Sequence, residues 1–395
     1  MKNIVNKIIT VVCLAGLLLG VITYTKEIKA KDDAYMKKTD HQFMYAKDET
    51  SNMIASGAGK YYMIKDYNLY VADKDDMKFE ILCYEPDCKH NMSETQEEKM
   101  ECKGSFLTST FLAYYDGNLY TTLRDYSKGG EKLDLVKMSL DGKKKESIFT
   151  FDKTPESIVI HRGELYYSMR DNIDSDDAMY RTRYILNRVK LGDEKVTKLY
   201  KGDLDREEVI ENIICYGKYI YFTVRSYKDD EITSKQMYYD TVTNTIERIH
   251  SDDDRDIVRG VEIAEDKIIY SVCNIISEDD FTYKEYMANL DGSEVEESFT
   301  EKAHGYALGD GKNFFVQITD KIDYKQIGIQ VRTPEGDLIS SVDTKDYFKD
   351  GYRVLAGDED YLFIVNRPHK DSSNVVAVDK KKLMQGEFEQ KLLVK

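Results

Sequence analysis

One aromatic position, returning seven times, constrains this chain more than any other feature. Tyr62, Tyr120, Tyr166, Tyr221, Tyr270, Phe315 and Phe363 follow one another at intervals of 45 to 58 residues. Turn formers precede each of them: Gly59-Lys60, Asp116-Gly117, Arg162-Gly163, Gly217-Lys218, Asp266-Lys267, Asp310-Gly311 and Asp358-Glu359-Asp360. Gly supplies the positive backbone angle of a tight hairpin turn, and Asp or Asn tolerates it. The marker therefore sits where a strand restarts after a turn.

A second echo follows, usually about 20 residues on. It is a short strand entering another polar turn, as in Val136-Lys-Met-Ser-Leu-Asp-Gly142, Asn187-Arg-Val-Lys-Leu-Gly-Asp193 and Tyr286-Met-Ala-Asn-Leu-Asp-Gly292. Each unit then reads as four short antiparallel strands joined by hairpins. That period and strand count predict an all-β chain folded as a seven-bladed β-propeller of four-stranded antiparallel blades. A ring of blades also leaves few long exposed edges. The final strand, within Gln390-Lys-Leu-Leu-Val394, is expected to complete the last blade by itself.

The chain divides into three parts on this reading. Residues 1–30 form a targeting segment: Lys2 and Lys7 precede an uncharged run from Ile8 to Tyr24, and Ile28-Lys29-Ala30 fits a cleavage site. The run is also long enough for a retained membrane anchor. Residues 31–50 are a polar linker, within which 41–46 could add a strand to the last blade. Residues 51–395 are the propeller, with a Cys/His-containing loop at 83–104. The folded part is then extracytoplasmic, secreted or held at the cell membrane.

Charge excludes one class of partner. The net charge of −16 becomes −19 once the four lysines and one glutamate of residues 1–30 are set aside. Such a surface repels phosphate backbones, so nucleic acid is not expected as a partner. The acidic stretches 171–177 and 252–256 lack the Gly and Glu of a calcium loop and read as solvated turns. Cys215 and Cys273 lie in apolar strand settings and read as buried small hydrophobes. Single histidines such as His161 read as solvated loop residues.

Chemistry concentrates in one place. Cys83, Cys88, His90 and Cys102 put three of the six cysteines and one of the six histidines within 20 residues. In an oxidising space, a bridge from Cys83 or Cys88 to Cys102 would staple the loop, and this disulfide is the preferred reading. The alternative is zinc held by Cys83, Cys88, His90 and Cys102, four ligands of the right chemistry at an uncommon finger spacing. Otherwise no cofactor is expected.

These residues carry a resemblance. Gly59-Lys60-Tyr61-Tyr62, Asn68-Leu69-Tyr70, Leu82-Cys83, Pro86-Asp87-Cys88-Lys89-His90 and Cys102 together resemble extracytoplasmic propeller proteins of Gram-positive bacteria. Those are related to the YWTD blades of low-density-lipoprotein-receptor-type proteins and to TolB-like propellers. The likeness implies a fold and a compartment and brings no activity with it. It departs from the family at Cys13, where Thr10-Val11-Val12 does not make a lipidation box.

No Gly-x-Ser-x-Gly elbow, zinc-protease helix or nucleotide-binding glycine loop occurs. The sequence therefore leads to a non-enzymatic binding or scaffold propeller that recognises a protein, peptide or glycan at the cell surface. Two alternatives remain: a metal- or redox-responsive sensor using the Cys/His loop, and a hydrolase or lyase with its site at the central channel. The channel reading requires polar side chains to gather at the axis.

Overall fold

A computed structural model describes residues 34–36, 38–40, 54–88, 90, 102–106, 111–124, 132–173, 181–228, 231–249, 257–264, 266–277, 280–299, 307–320, 325–366 and 374–394. The targeting segment, residues 41–46 and the acidic stretch 252–256 lie outside these, as does most of 171–177. Among the described residues no helix is long and apolar enough to cross a membrane.

The chain forms seven four-stranded antiparallel blades, as the repeat predicts. They span residues 54–81, 112–151, 155–201, 209–249, 257–299, 307–343 and 352–394. Every marker aromatic falls on the second strand of its blade and is buried. The last blade draws all four strands from residues 352–394, so the ring closes by packing between blades seven and one rather than by strand exchange.

The core is divided into seven apolar clusters, each taking residues from two neighbouring blades around the ring. Burial of each marker ring contributes about 2–3 kcal/mol, so the wedges between blades hold the fold. The seam between blades seven and one adds a polar lock at Asp358. Its carboxylate accepts from the Tyr61 hydroxyl at 2.8 Å and from Lys74 Nζ at 2.7 Å. It also caps the backbone N–H groups of Asp360 and Tyr361. Burial opposes this charge, but Lys74 and the two N–H groups outweigh it and hold Asp358 below the usual carboxylate range.

The first strand of each blade is the innermost, and these strands meet their neighbours around the axis. Gly309 shows how close they come. A Cβ there would lie 2.0 Å from the Ile263 carbonyl oxygen of blade five. Backbone cannot yield as a side-chain tip can, so Gly309→Ala is expected to cost about 2–3 kcal/mol in a urea melt. A melt unchanged from wild type would refute this packing.

His161 departs from expectation. It is completely buried at the end of the inner strand Pro155–His161, not solvated. Its Nε2 donates to the Gly217 carbonyl at 2.7 Å, which bridges blades three and four. Cys215 and Cys273 are buried, as expected.

Candidate functional site

Two features carry chemistry. The first is the Cys/His cluster. Its loop leaves blade one after the outer strand Glu80–Ile81 and returns beside the same blade. Leu82 N–H donates to the Leu69 carbonyl at 2.7 Å, which fixes Cys83. At the other end, Leu69 N–H donates to Gly104 at 2.9 Å and Phe106 N–H to Tyr67 at 2.6 Å, which fixes Cys102. Gly104 is required there, since a Cβ would meet the Leu82 carbonyl oxygen at 2.9 Å. One hairpin thus holds both ends of the loop, and the thiols converge. A turn closed by Cys88 N–H on the Glu85 carbonyl brings in Cys88, and His90 enters with a left-handed φ of 47°.

The ligating atoms of Cys83, Cys88, His90 and Cys102 all lie within 4.8 Å of one another. Cys102 Sγ stands 3.5 Å from His90 Nδ1. Ligands on a tetrahedral zinc ion are about 3.8 Å apart at Zn–S bonds of about 2.3 Å, so small shifts would complete the sphere. The thiols are unbridged in this structure, and sulfurs gathered this closely are compatible both with a ligand set and with the bridge expected from the sequence.

Cys83 and Cys102 differ electrostatically. Burial raises the Cys83 thiol, but hydrogen bonds from the Glu85 backbone, the Cys88 and Cys102 side chains and the Lys103 backbone bring it below the ordinary range. Burial dominates at Cys102 and pushes its thiol up to about 12. Lys145 of blade two donates to the Lys103 carbonyl at 3.1 Å and lies over the Phe106 ring at 4.4 Å, adding positive charge beside the sulfurs. The cluster could therefore hold a metal. With four protein ligands it would leave no open position, as structural zinc sites do and catalytic ones do not.

The second feature is a pair of acid–arginine contacts between the first and second strands of two neighbouring blades. The inner strand of blade three carries Glu156, paired with Arg170 of the next strand at 2.5 Å. The inner strand of blade four carries Glu211, paired with Arg225 of its own second strand at 3.1 Å. Both pairs lie near the end of the ring away from the first turns. Arg353 occupies the inner strand of blade seven. The inner strands therefore carry acids and an arginine as well as Val, Ile and Ser. No motif announces these residues: in a chain with 73 acids, a glutamate on a strand is ordinary.

Neither a family model nor a curated protein sequence matches this chain. Solved structures do. A prolyl endopeptidase matches with TM-score 0.60 at 10% identity, over 93% of this chain and 51% of that one. Pyrococcus horikoshii acylaminoacyl peptidase matches with TM-score 0.55 at 10% identity, over 92% and 54%. An oligogalacturonate lyase in complex with manganese matches with TM-score 0.54 at 10% identity, over 88% and 91%. The chain thus spans about half the length of these peptidases and about nine-tenths of the lyase.

At such identities the likeness is one of fold. It still corrects the expectation of a non-enzymatic binder, because propellers of this shape belong to peptidases and to a lyase. The lack of a nucleophile motif was no ground for excluding activity in a ring that can assemble a site from several blades.

Proposed function

We propose that this protein is a propeller enzyme of the lyase or hydrolase class, working at the axial mouth that bears Glu156, Arg170, Glu211 and Arg225, with zinc at the Cys/His loop as a structural clamp. The observation that carries the reading is the repetition of a carboxylate–guanidinium pair between the inner and second strands of two consecutive blades. A carboxylate can take a proton from carbon or water, and a neighbouring guanidinium can neutralise charge that develops on the substrate. The Arg170 side chain is 57% exposed, so its fork can reach a substrate carboxylate without leaving Glu156. The lyase is the nearer precedent in extent, since the match runs along most of its length. Zinc at four soft ligands would supply folding energy and no reaction step.

The compartment belongs to this proposal as well. The basic start and apolar run of residues 1–30 support export or anchoring, in keeping with the resemblance to extracytoplasmic propellers.

The test is turnover of oligogalacturonates, read by release of unsaturated ends, alongside proline-containing peptides. Activity is expected on one of these classes, and Glu211→Gln is expected to lower it about 100-fold or more with the melting temperature unchanged. A Glu211→Gln protein as active as wild type, or failure to turn over either class, would contradict the axial assignment.

A further inference from the structure

The first turns of blades two, three and four are in contact with the chain's own N-terminal stretch. The polar stretch before blade one reads as a solvated linker, yet part of it lies against the first turns of several blades. Asp40 is the centre of this contact. Its side chain is completely buried, although it belongs to a short segment outside any blade. Arg162, in the first turn of blade three, holds it with a fork: Nε donates to Oδ1 at 2.7 Å and Nη2 to Oδ2 at 3.2 Å. The Gly217 N–H, in the first turn of blade four, donates to Oδ2 at 3.2 Å.

Further contacts repeat the arrangement. Arg162 N–H donates to the Thr39 carbonyl at 2.6 Å, and Arg162 Nη2 donates to the Ala34 carbonyl at 2.9 Å. The Tyr35 ring stacks on Tyr216 of blade four with centroids 6.0 Å apart. Burial, then Asp40, then Glu359 of blade seven raise the Tyr35 phenol above its ordinary range. Tyr35 thus packs on blade four. Lys38 reaches Asp116 of blade two at 3.9 Å, in the open.

We propose that the first turns of blades three and four form a recognition pocket for a peptide that presents an aspartate and an aromatic residue, and that residues 34–40 fill it in cis as a detachable ligand. A guanidinium fork plus a backbone N–H is a carboxylate site by its chemistry, and the Tyr216 face takes a ring. A competing peptide that carried an aromatic residue five positions before an Asp would displace the segment. This assignment does not depend on which reaction the channel serves.

The experiment uses the full chain and hydrogen exchange, so its outcome is separate from any assay of activity. Tyr35→Ala with Asp40→Asn is expected to speed exchange about tenfold or more in peptic fragments covering 34–40 and 213–219, where Gly217 N–H lies. The melting temperature of the ring should stay close to that of wild type. Arg162→Lys, which keeps the charge and loses the fork, should give the same local change. A blocked Ala-Tyr-Met-Lys-Lys-Thr-Asp peptide should restore protection at 213–219 in the double variant, and the same peptide ending in Asn should not. Unchanged exchange in the variants would overturn the proposal. So would loss of protection spread over all blades, which would make the segment part of the core, or rescue by both peptides alike.

Discussion

Stripping the proposed zinc from the Cys/His loop is expected to loosen the ring's first blade more than any single surface change. The loop between Cys83 and Cys102 is tied at both ends to one hairpin, and a bound zinc ion would close it through four ligands. Closing a loop of that size is worth about 3 kcal/mol by chain entropy, and ligand bonds add to this. Treatment with a strong chelator under reducing conditions should therefore destabilise the protein by about 3–5 kcal/mol. Cys88→Ser is the informative variant. Its side chain is only half-buried, so loss of packing costs little. It should match the chelated wild type in stability, and chelator should do nothing further to it. If the chelator destabilises both proteins equally, the metal does not sit at Cys88.

Acid should weaken the fold through His161. The imidazole is held neutral between Gly217, Asp40 and Arg162, and burial pulls its pKa down from 6.5 to about 4 despite the favourable charge of Asp40. Above pH 6.5 neither the folded nor the unfolded chain protonates this residue, and it has no pH effect. Between pH 6.5 and about 4 the unfolded chain binds a proton that the folded ring refuses. Stability then falls as pH falls, by about 1.4 kcal/mol per unit and about 3 kcal/mol across the window. Urea melts from pH 7 to 4 should show this slope, and His161→Gln, which can still donate to the Gly217 carbonyl, should flatten it. An equal slope in both proteins would assign the loss to other groups. The Asp358 lock acts in a lower window: its depressed carboxyl contributes above the ordinary value of 3.8 and is lost as pH falls further.

The repeat was legible because a turn followed by a buried aromatic is forced on every blade by the same local physics. The marker must fill the wedge to the next blade, and the turn before it must reverse the chain. All seven marker aromatics accordingly lie buried on the second strands of their blades.

The cluster was legible in its members: Cys83, Cys88, His90 and Cys102 stood out by density, and the fold gathers their ligating atoms within 4.8 Å. Glu156 and Glu211 were hidden, since their meaning comes from two inner strands lying side by side, which no local pattern encodes. Asp40 was hidden for a related reason: polar composition gives a solvated linker, and only Arg162, 122 residues away, makes its carboxylate a buried group. His161 did leave a trace, as it ends the apolar run Ile158-Val159-Ile160 just before a turn.

The most direct measurement is the native and denaturing mass of the protein, exported without chelator. The account predicts one zinc ion in the native spectrum and none in the denatured one, with Cys83, Cys88 and Cys102 all reduced. A chain without bound metal, lighter by the two hydrogens of a bridge between two of these cysteines, would contradict it and restore the disulfide staple.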